Sequence, residues 1–272
     1  MFHVVHINTK WCALRDSEKT KAMFLIAVAR PQWDRKRQQL FDGKLGVWTF
    51  IVADPSIESY FEINMVPWNE AALHGGRHLR VLETITRKDI QTMVTSNVIP
   101  AIKAKMPSSL RNEPLYIQLD NQQMRLMPHD PVIAEYGKTD GWDIQVQYQP
   151  AYSPELVVLH HDFLKILTPE MTSRSISMRL APLIELIASV ERAFAAVTKR
   201  QINDAFLALQ KMMECIMVSG GSNDLISNED ATKKSLQHDG SLPVSILCKQ
   251  EALLACQSAL NNFNQAKLAS NY

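Results

Sequence analysis

The apolar residues open in short blocks of extended character and change to a helical period further along the chain. FHVVHI, AMFLIAVA and, after the turn signal in FDGK, LGVWTFIVA predict three successive strands. Their connections are short, so they are expected to pair as antiparallel neighbours. Residues 55–80 hold Pro55, Pro67 and the Gly75–Gly76 pair without a steady period, which reads as a long loop. DIQTMVTSNVIPAIKAKM then sets Ile90, Met93, Val94 and Val98 at helical spacing, with Pro100 bending or splitting the helix beyond it. LYIQLDN predicts a strand ending at Asp120, PVIAEYG a short helix, and DIQVQYQP another strand. SPELVVLHHDFLKIL reads as a helix capped by Ser153. Strand, helix, strand, helix in this order implies parallel pairing through right-handed crossovers.

Beyond residue 170 the period is mainly helical. Leu180, Leu183, Ile184, Ile187, Val190 and Phe194 form one stripe, and Ile202, Phe206, Leu209, Met213 and Ile216 form a second. Residues 219–243 make a polar connection. The expected organisation is therefore an α/β core over residues 1–170, with a mixed sheet of three antiparallel and then parallel strands flanked by helices. A C-terminal helical part over residues 171–272 packs on it.

Composition narrows the classes. With 272 residues and 46% hydrophobic content the chain can bury a full core. Lys and Arg number 29 against 28 Asp and Glu, so no global positive field points to nucleic acid or an anionic membrane, and any such contact must use a local patch. The longest apolar run, MFLIAVA, is far short of a membrane span, and the start, MFHVVHINTKW, lacks signal-peptide character. Cys12, Cys215, Cys248 and Cys256 show no paired metal-ligand spacing, which makes a reduced, intracellular setting the expectation. The glycines form no phosphate-cradling loop, so no nucleotide cofactor is expected.

Three polar positions stand where this topology could bring them together: Asn8 at the end of the first strand, Asp120 at the end of LYIQLDN, and His160 in the helix opened by Ser153. At 100° per residue His160 lies about 40° from Leu156 and shares a face with Leu159, Phe163 and Leu167, whereas His161 and Asp162 point elsewhere. Taken singly, Asn8 is an ordinary strand-end polar residue, Asp120 a turn cap, and His160 a hydrogen-bonded core histidine.

Taken with their surroundings they say more. VVHINTKW, FLIAVARPQWD, FDGKLGVWTF, NVIPAIKAKMP, LYIQLDNQ, DGWDIQVQYQPAYSPELVVL, VSGGSND and GSLPVSILC occur in one order over nearly the whole chain. In these islands the sequence resembles the catalytic region of mariner-like DDE/D transposases, particularly the plant and oomycete type. The resemblance implies a ribonuclease H-like fold and three metal-binding carboxylates, the last two separated by thirty-nine residues in that lineage. Thirty-nine residues separate Asp120 from position 160 here, but position 160 is His160. The family's first aspartate falls at Asn8, followed by Thr9 in place of the usual acidic residue.

Two-metal phosphodiester cleavage in that family uses Mg²⁺ or Mn²⁺ held by anionic oxygens. Asn8 supplies a neutral amide, imidazole at His160 suits zinc or copper better than magnesium, and of the three Asp120 alone keeps a charge for metal. The resemblance thus implies remnant triad positions Asn8, Asp120 and His160 in a transposase-derived domain that does not cleave DNA, with no cofactor assigned. A mixed Mn²⁺ or Zn²⁺ site on the same three residues is a further reading. Residual nucleic-acid contact would use Lys10, Arg30 and Arg125, whose ordinary reading is solvated surface charge. The alternative is a protein-interaction module on the same fold, binding a partner or a second copy, and the last reading is a metal-dependent nuclease. The expected partner is DNA or a protein and not a membrane, and transposase ancestry implies a nuclear location.

Overall fold

The computed structural model describes residues 1–14, 17–53, 79–119, 126–150, 153–159, 182–221 and 247–269. Its centre is a five-stranded sheet in the order β5-β2-β1-β8-β9. β1 (Val4–Leu14) pairs antiparallel with β2 (Ser17–Ala29), and β2 pairs antiparallel with β5 (Lys44–Thr49). On the other side β1 pairs parallel with β8 (Pro114–Leu119), which pairs parallel with β9 (Asp143–Tyr148). Three antiparallel strands followed by parallel ones make this a ribonuclease H-like mixed sheet, as expected.

Two details of the meander depart from the sequence reading. Between β2 and β5 the chain inserts a small hairpin, β3 (Gln32–Asp34) and β4 (Gln39–Phe41), where only a turn was expected. The turn at Gly43 follows it; φ there is +93°, and a Cβ would meet the Ala29 carbonyl oxygen at 2.6 Å, so glycine is required. The predicted third strand is also broken at buried Phe50. Its N–H donates to the Met23 carbonyl at 3.0 Å and its own carbonyl accepts from Leu82 N–H at 3.2 Å. The continuation, β6 (Ile51–Ala53), pairs instead with β7 (Leu79–Val81), so the end of the expected long loop is a strand.

Alternation assigns the two faces. Val5, Ile7, Leu25, Ala27, Leu115, Ile117 and Ile144 point one way. They pack on α1 (Arg87–Met93), a π-helical turn at Val94–Val98, α2 (Ile99–Lys105) and α3 (Pro131–Gly137). α1 begins with a capping box between Thr86 and Asp89, and α3 with Asp130 as N-cap ahead of Pro131. The π turn precedes Pro100, which lacks an N–H, and Ile99 N–H reaches back to the Val94 carbonyl. The expected split at Pro100 is therefore a widened turn within one helical path.

The opposite face carries Phe24, Ile26 and Val28 and is covered by α4 (Pro182–Ala196) and α5 (Lys199–Val218). Thr198 and Gln201 form the capping box that opens α5. Ile184, Ile187, Val190 and Phe194 of the first predicted stripe are buried, as are Ile202, Phe206 and Leu209 of the second. Met213 is exposed and Met212 is buried in its place. Burying a side chain such as Phe206 contributes about 2 kcal/mol. α6 (Gln250–Ala269) joins α5 where the Lys249 N–H donates to the Glu214 carboxylate at 2.7 Å. Among the described residues no helix is long and apolar enough to cross a membrane.

The helix expected from Ser153 is corrected. Pro154–Leu156 make one 3-10 turn, and Val157 to Leu159 do not continue it as an α-helix. The Ser153 carbonyl, which an α-helix would offer to Val157, accepts from Leu156 N–H at 3.1 Å and from the Gln149 amide at 3.2 Å. Val157, Val158 and Leu159 are all buried, and three consecutive positions cannot share one helical face. No α-helix therefore runs from Ser153 to Leu159 to set the direction of position 160, and residues 160–167 lie outside the described ones.

Candidate functional site

Along β1 the alternation that buries Val5 and Ile7 on one face sends His6, Asn8, Lys10 and Cys12 to the other, beneath α4 and α5. This face of the central strand is polar where its neighbour β2 is apolar: His6 pairs with Val28, Asn8 with Ile26, and Lys10 with Phe24. On β8 the residue in register with His6 is Gln118, whose side-chain carbonyl accepts from Gln147 of β9 at 3.2 Å. A polar strip thus runs across the middle of the sheet under an apolar cover.

Asn8 is 2% exposed. Its Oδ1 accepts the Thr9 backbone N–H at 2.7 Å, and its Nδ2 is buried without a hydrogen-bond partner. The bond to Thr9 fixes which end of the amide is oxygen. A buried N–H left unpaired costs about 1 to 3 kcal/mol, so Asn8 is a polar group held at a local disadvantage. An aspartate could keep the Thr9 bond and present a second oxygen where Asn8 presents its amide N–H groups. Asn8 therefore does not suit a divalent cation: its oxygen is taken by Thr9 and the buried group left over is a donor and not an anionic oxygen. Among the described residues no three His, Cys, Asp or Glu side chains cluster as a metal site.

His6 sits edge-on to the Phe206 ring, with centroids 5.3 Å apart and planes at 76°. Burial, helped by the N-terminal ammonium, lowers its pKa to about 3, so it is a neutral imidazole at ordinary pH. The Lys10 ammonium is lowered by burial and partly restored by Cys12, while burial raises the Cys12 thiol against the pull of Lys10. All four cysteines are free thiols.

Arg30 is buried, with its guanidinium 4.9 Å from the centre of the Phe2 ring and Nη1 3.9 Å from the Met1 sulfur. It is thus a packed residue at the end of β2 and not the solvated charge of the sequence reading. Lys10 lies half-buried in the Asn8 row. Asp120, Arg125 and His160 lie outside the described residues. The register Val4 with Tyr116, Val5 with Ile117 and His6 with Gln118 stops two positions short of Asn8 on one strand and of Asp120 on the other. Leu159, the residue before His160, is fully buried in the cluster that contains Ile26, the cross-strand partner of Asn8.

Sequence reasoning missed His6 and Glu191. His6 was visible as the polar member of VVHI two positions before Asn8, which puts both on one face. Glu191 is a half-buried carboxyl on α4, raised by burial to about 7, and nothing in the spacing of that stripe sets it apart.

No protein-family model matches the chain, and no curated protein matches it. Among solved structures the chain is similar to one described as Mos1 transposase catalytic domain and raltegravir with Mg, at 14% sequence identity and a TM-score of 0.44, over 76% of this chain and 78% of that one.

Proposed function

We propose that this chain is a transposase-derived domain of the mariner-like type that no longer cleaves phosphodiesters and still contacts nucleic acid. One observation carries the proposal: at the position where the sequence resemblance expects the first metal-binding aspartate, Asn8 is buried, its oxygen is used by Thr9 and its free end is a donor. The sheet register supports it, because His6 is paired with Gln118, and Asn8 and Asp120 each stand two positions further along the sequence from that pair. At the expected spacing His160 stands in place of a carboxylate, which is the second one lost. Each missing charge pair at 4 Å is worth about 4 kcal/mol even at an effective dielectric of 20. Residues 1–170 form the core in this reading and 171–272 the helical part, whose α4 and α5 cover it. Lys10 and Arg125 are its phosphate-facing cations, whereas Arg30 supports the chain start. The location it implies is the nucleus.

The test is nicking of supercoiled DNA with Mg²⁺ or Mn²⁺ by the protein and by an Asn8→Asp, His160→Asp double variant. No nicking by the wild type and measurable nicking by the double variant, abolished again by Asp120→Ala, is the expected result. Strong cleavage by the wild type that Asp120→Ala abolishes would overturn it.

A second reading, a protein-interaction module, is favoured by α6, which exposes Leu253, Leu254, Leu260 and Phe263 along one helix. Sedimentation velocity without nucleic acid tests it: self-association that disappears in a Leu260→Glu, Phe263→Glu variant would support this reading.

A further inference from the structure

The β3–β4 hairpin concentrates charge on a chain that is otherwise nearly balanced. Between residues 30 and 44 stand Arg30, Arg35, Lys36, Arg37 and Lys44 against Asp34 and Asp42, while the whole chain carries 29 basic and 28 acidic residues. The hairpin leaves the sheet after Ala29, which pairs with Val5 near the start of β1. β8 runs away from that end toward Leu119, so the hairpin and the Leu119 end of β8 lie at opposite ends of the sheet.

Its tip is built to hold cations outward. The Asp34 carboxylate is buried and accepts the N–H groups of Lys36 at 2.9 Å and Arg37 at 3.1 Å, an Asx turn that fixes the loop. Arg37 turns back to the body, where its guanidinium donates to the Lys105 and Met106 carbonyls at 3.4 and 3.5 Å. The Gln38 amide closes the turn on the Arg35 carbonyl at 2.6 Å. Arg35 and Lys36 remain exposed, with no side-chain partner among the described residues. On the strand beside them Trp33 is 53% exposed and faces Leu40, also exposed, across the ladder. Trp33 and Arg35 flank the buried Asp34 in sequence, and both are exposed, the indole on the strand and the guanidinium at the start of the loop.

We infer that this hairpin binds single-stranded nucleic acid, with a base stacked on Trp33 and the flanking phosphates on Arg35 and Lys36. An open indole beside two unpaired cations on a fixed turn is the arrangement that binds strands without reading sequence: the ring meets the π-face of any base and the cations follow the backbone. An acidic peptide would satisfy the two cations and leave the indole without its stacking partner. The inference rests on the reading that the chain contacts nucleic acid and adds a site apart from Asn8 and Lys10.

Fluorescence anisotropy of a labelled oligothymidylate of roughly 16 nucleotides, titrated with the full chain at several salt concentrations, tests it. Trp33→Ala is expected to weaken binding roughly tenfold with the salt slope unchanged. Arg35→Ala with Lys36→Ala is expected to weaken binding and to lower the slope of log K against log salt by roughly 1.4, about 0.7 for each phosphate no longer neutralised. Neither variant touches Asp34, and unchanged far-UV circular dichroism and Tm show that the hairpin persists. If both bind like the wild type, the hairpin site is wrong and the reading that the chain contacts nucleic acid elsewhere survives. If the wild type binds neither single-stranded nor duplex DNA, both fall. If polyglutamate displaces the oligonucleotide at equal charge concentration from the wild type and the Trp33→Ala variant alike, the partner is an acidic polymer and the stacking site is overturned.

Discussion

His6 and Glu191 titrate in opposite senses, and the difference can be read in solution. In the unfolded chain the His6 imidazole takes up a proton below about 6.5, whereas in the folded protein burial under Phe206 holds it neutral down to about 3. The unfolded state therefore binds more protons between those values, and stability is lost as pH falls through that window. About 2 kcal/mol of unfolding free energy should disappear between pH 6.5 and 5 from this residue, and urea melts of His6→Leu should show a flatter acid limb. Glu191 is raised from 4.5 to about 7 by burial, so the folded state holds the extra proton and stability falls as pH rises through that range. Because the carboxyl is only half-buried, Glu191→Gln should gain no more than about 1 kcal/mol at pH 8 and nothing at pH 4. The sequence disclosed that Asn8 stands where an aspartate is expected. It did not disclose that Thr9 captures the amide oxygen and leaves the nitrogen alone, because that depends on backbone geometry which the residue type does not determine.

At the scale of elements, Asp130 holds two helices. It caps α3 through the Val132 and Ile133 N–H groups at 3.1 and 3.3 Å and receives Arg87 and Gln91 of α1 at 2.9 and 2.7 Å. Burial pushes its carboxyl up, but Arg87, Gln91 and the backbone donors hold it below the usual range. Asp130→Ala should cost roughly 3 kcal/mol in urea denaturation, because it removes a cap and leaves the polar ends of two side chains without their acceptor. Asp130→Asn, which keeps the capping oxygen, should cost less. The Pro131 after Asp130 made this helix start legible. The β3–β4 hairpin was not legible, since its strands have three residues each and its turn uses Gln38 at φ 51° without glycine or asparagine. The failure at Ser153 has another cause. A serine followed by Pro154 and a glutamate satisfies the rules for a helix start, but tertiary burial of Val157, Val158 and Leu159 outweighs them.

For the molecule as a whole, the antiparallel strands of the central sheet followed from their short connections, the parallel ones from the alternation of strand and helix, and the two covering layers from hydrophobic period. α6 is different. Ala252 is buried, but from Gln257 to Ala266 every residue is exposed. Truncation after Cys256 should therefore move Tm by no more than about 2 °C, in contrast to Phe206→Ala in α5, which should lower unfolding free energy by about 3 to 5 kcal/mol. Differential scanning calorimetry of the two variants separates a projecting helix from one that closes the sheet.

The parallel pairing of β1 with β8 has a consequence for how the protein is made. Val4 must wait for Tyr116 before that side of its strand is satisfied. At about 5 to 20 residues per second a ribosome needs several seconds to reach it. Throughout that interval the antiparallel meander presents an open ladder of donors and acceptors to any neighbouring nascent chain. Soluble yield should therefore be set less by the stability of the finished protein than by how well this interval is protected, and slower synthesis at low temperature or added chaperone should raise it more than stabilising substitutions do.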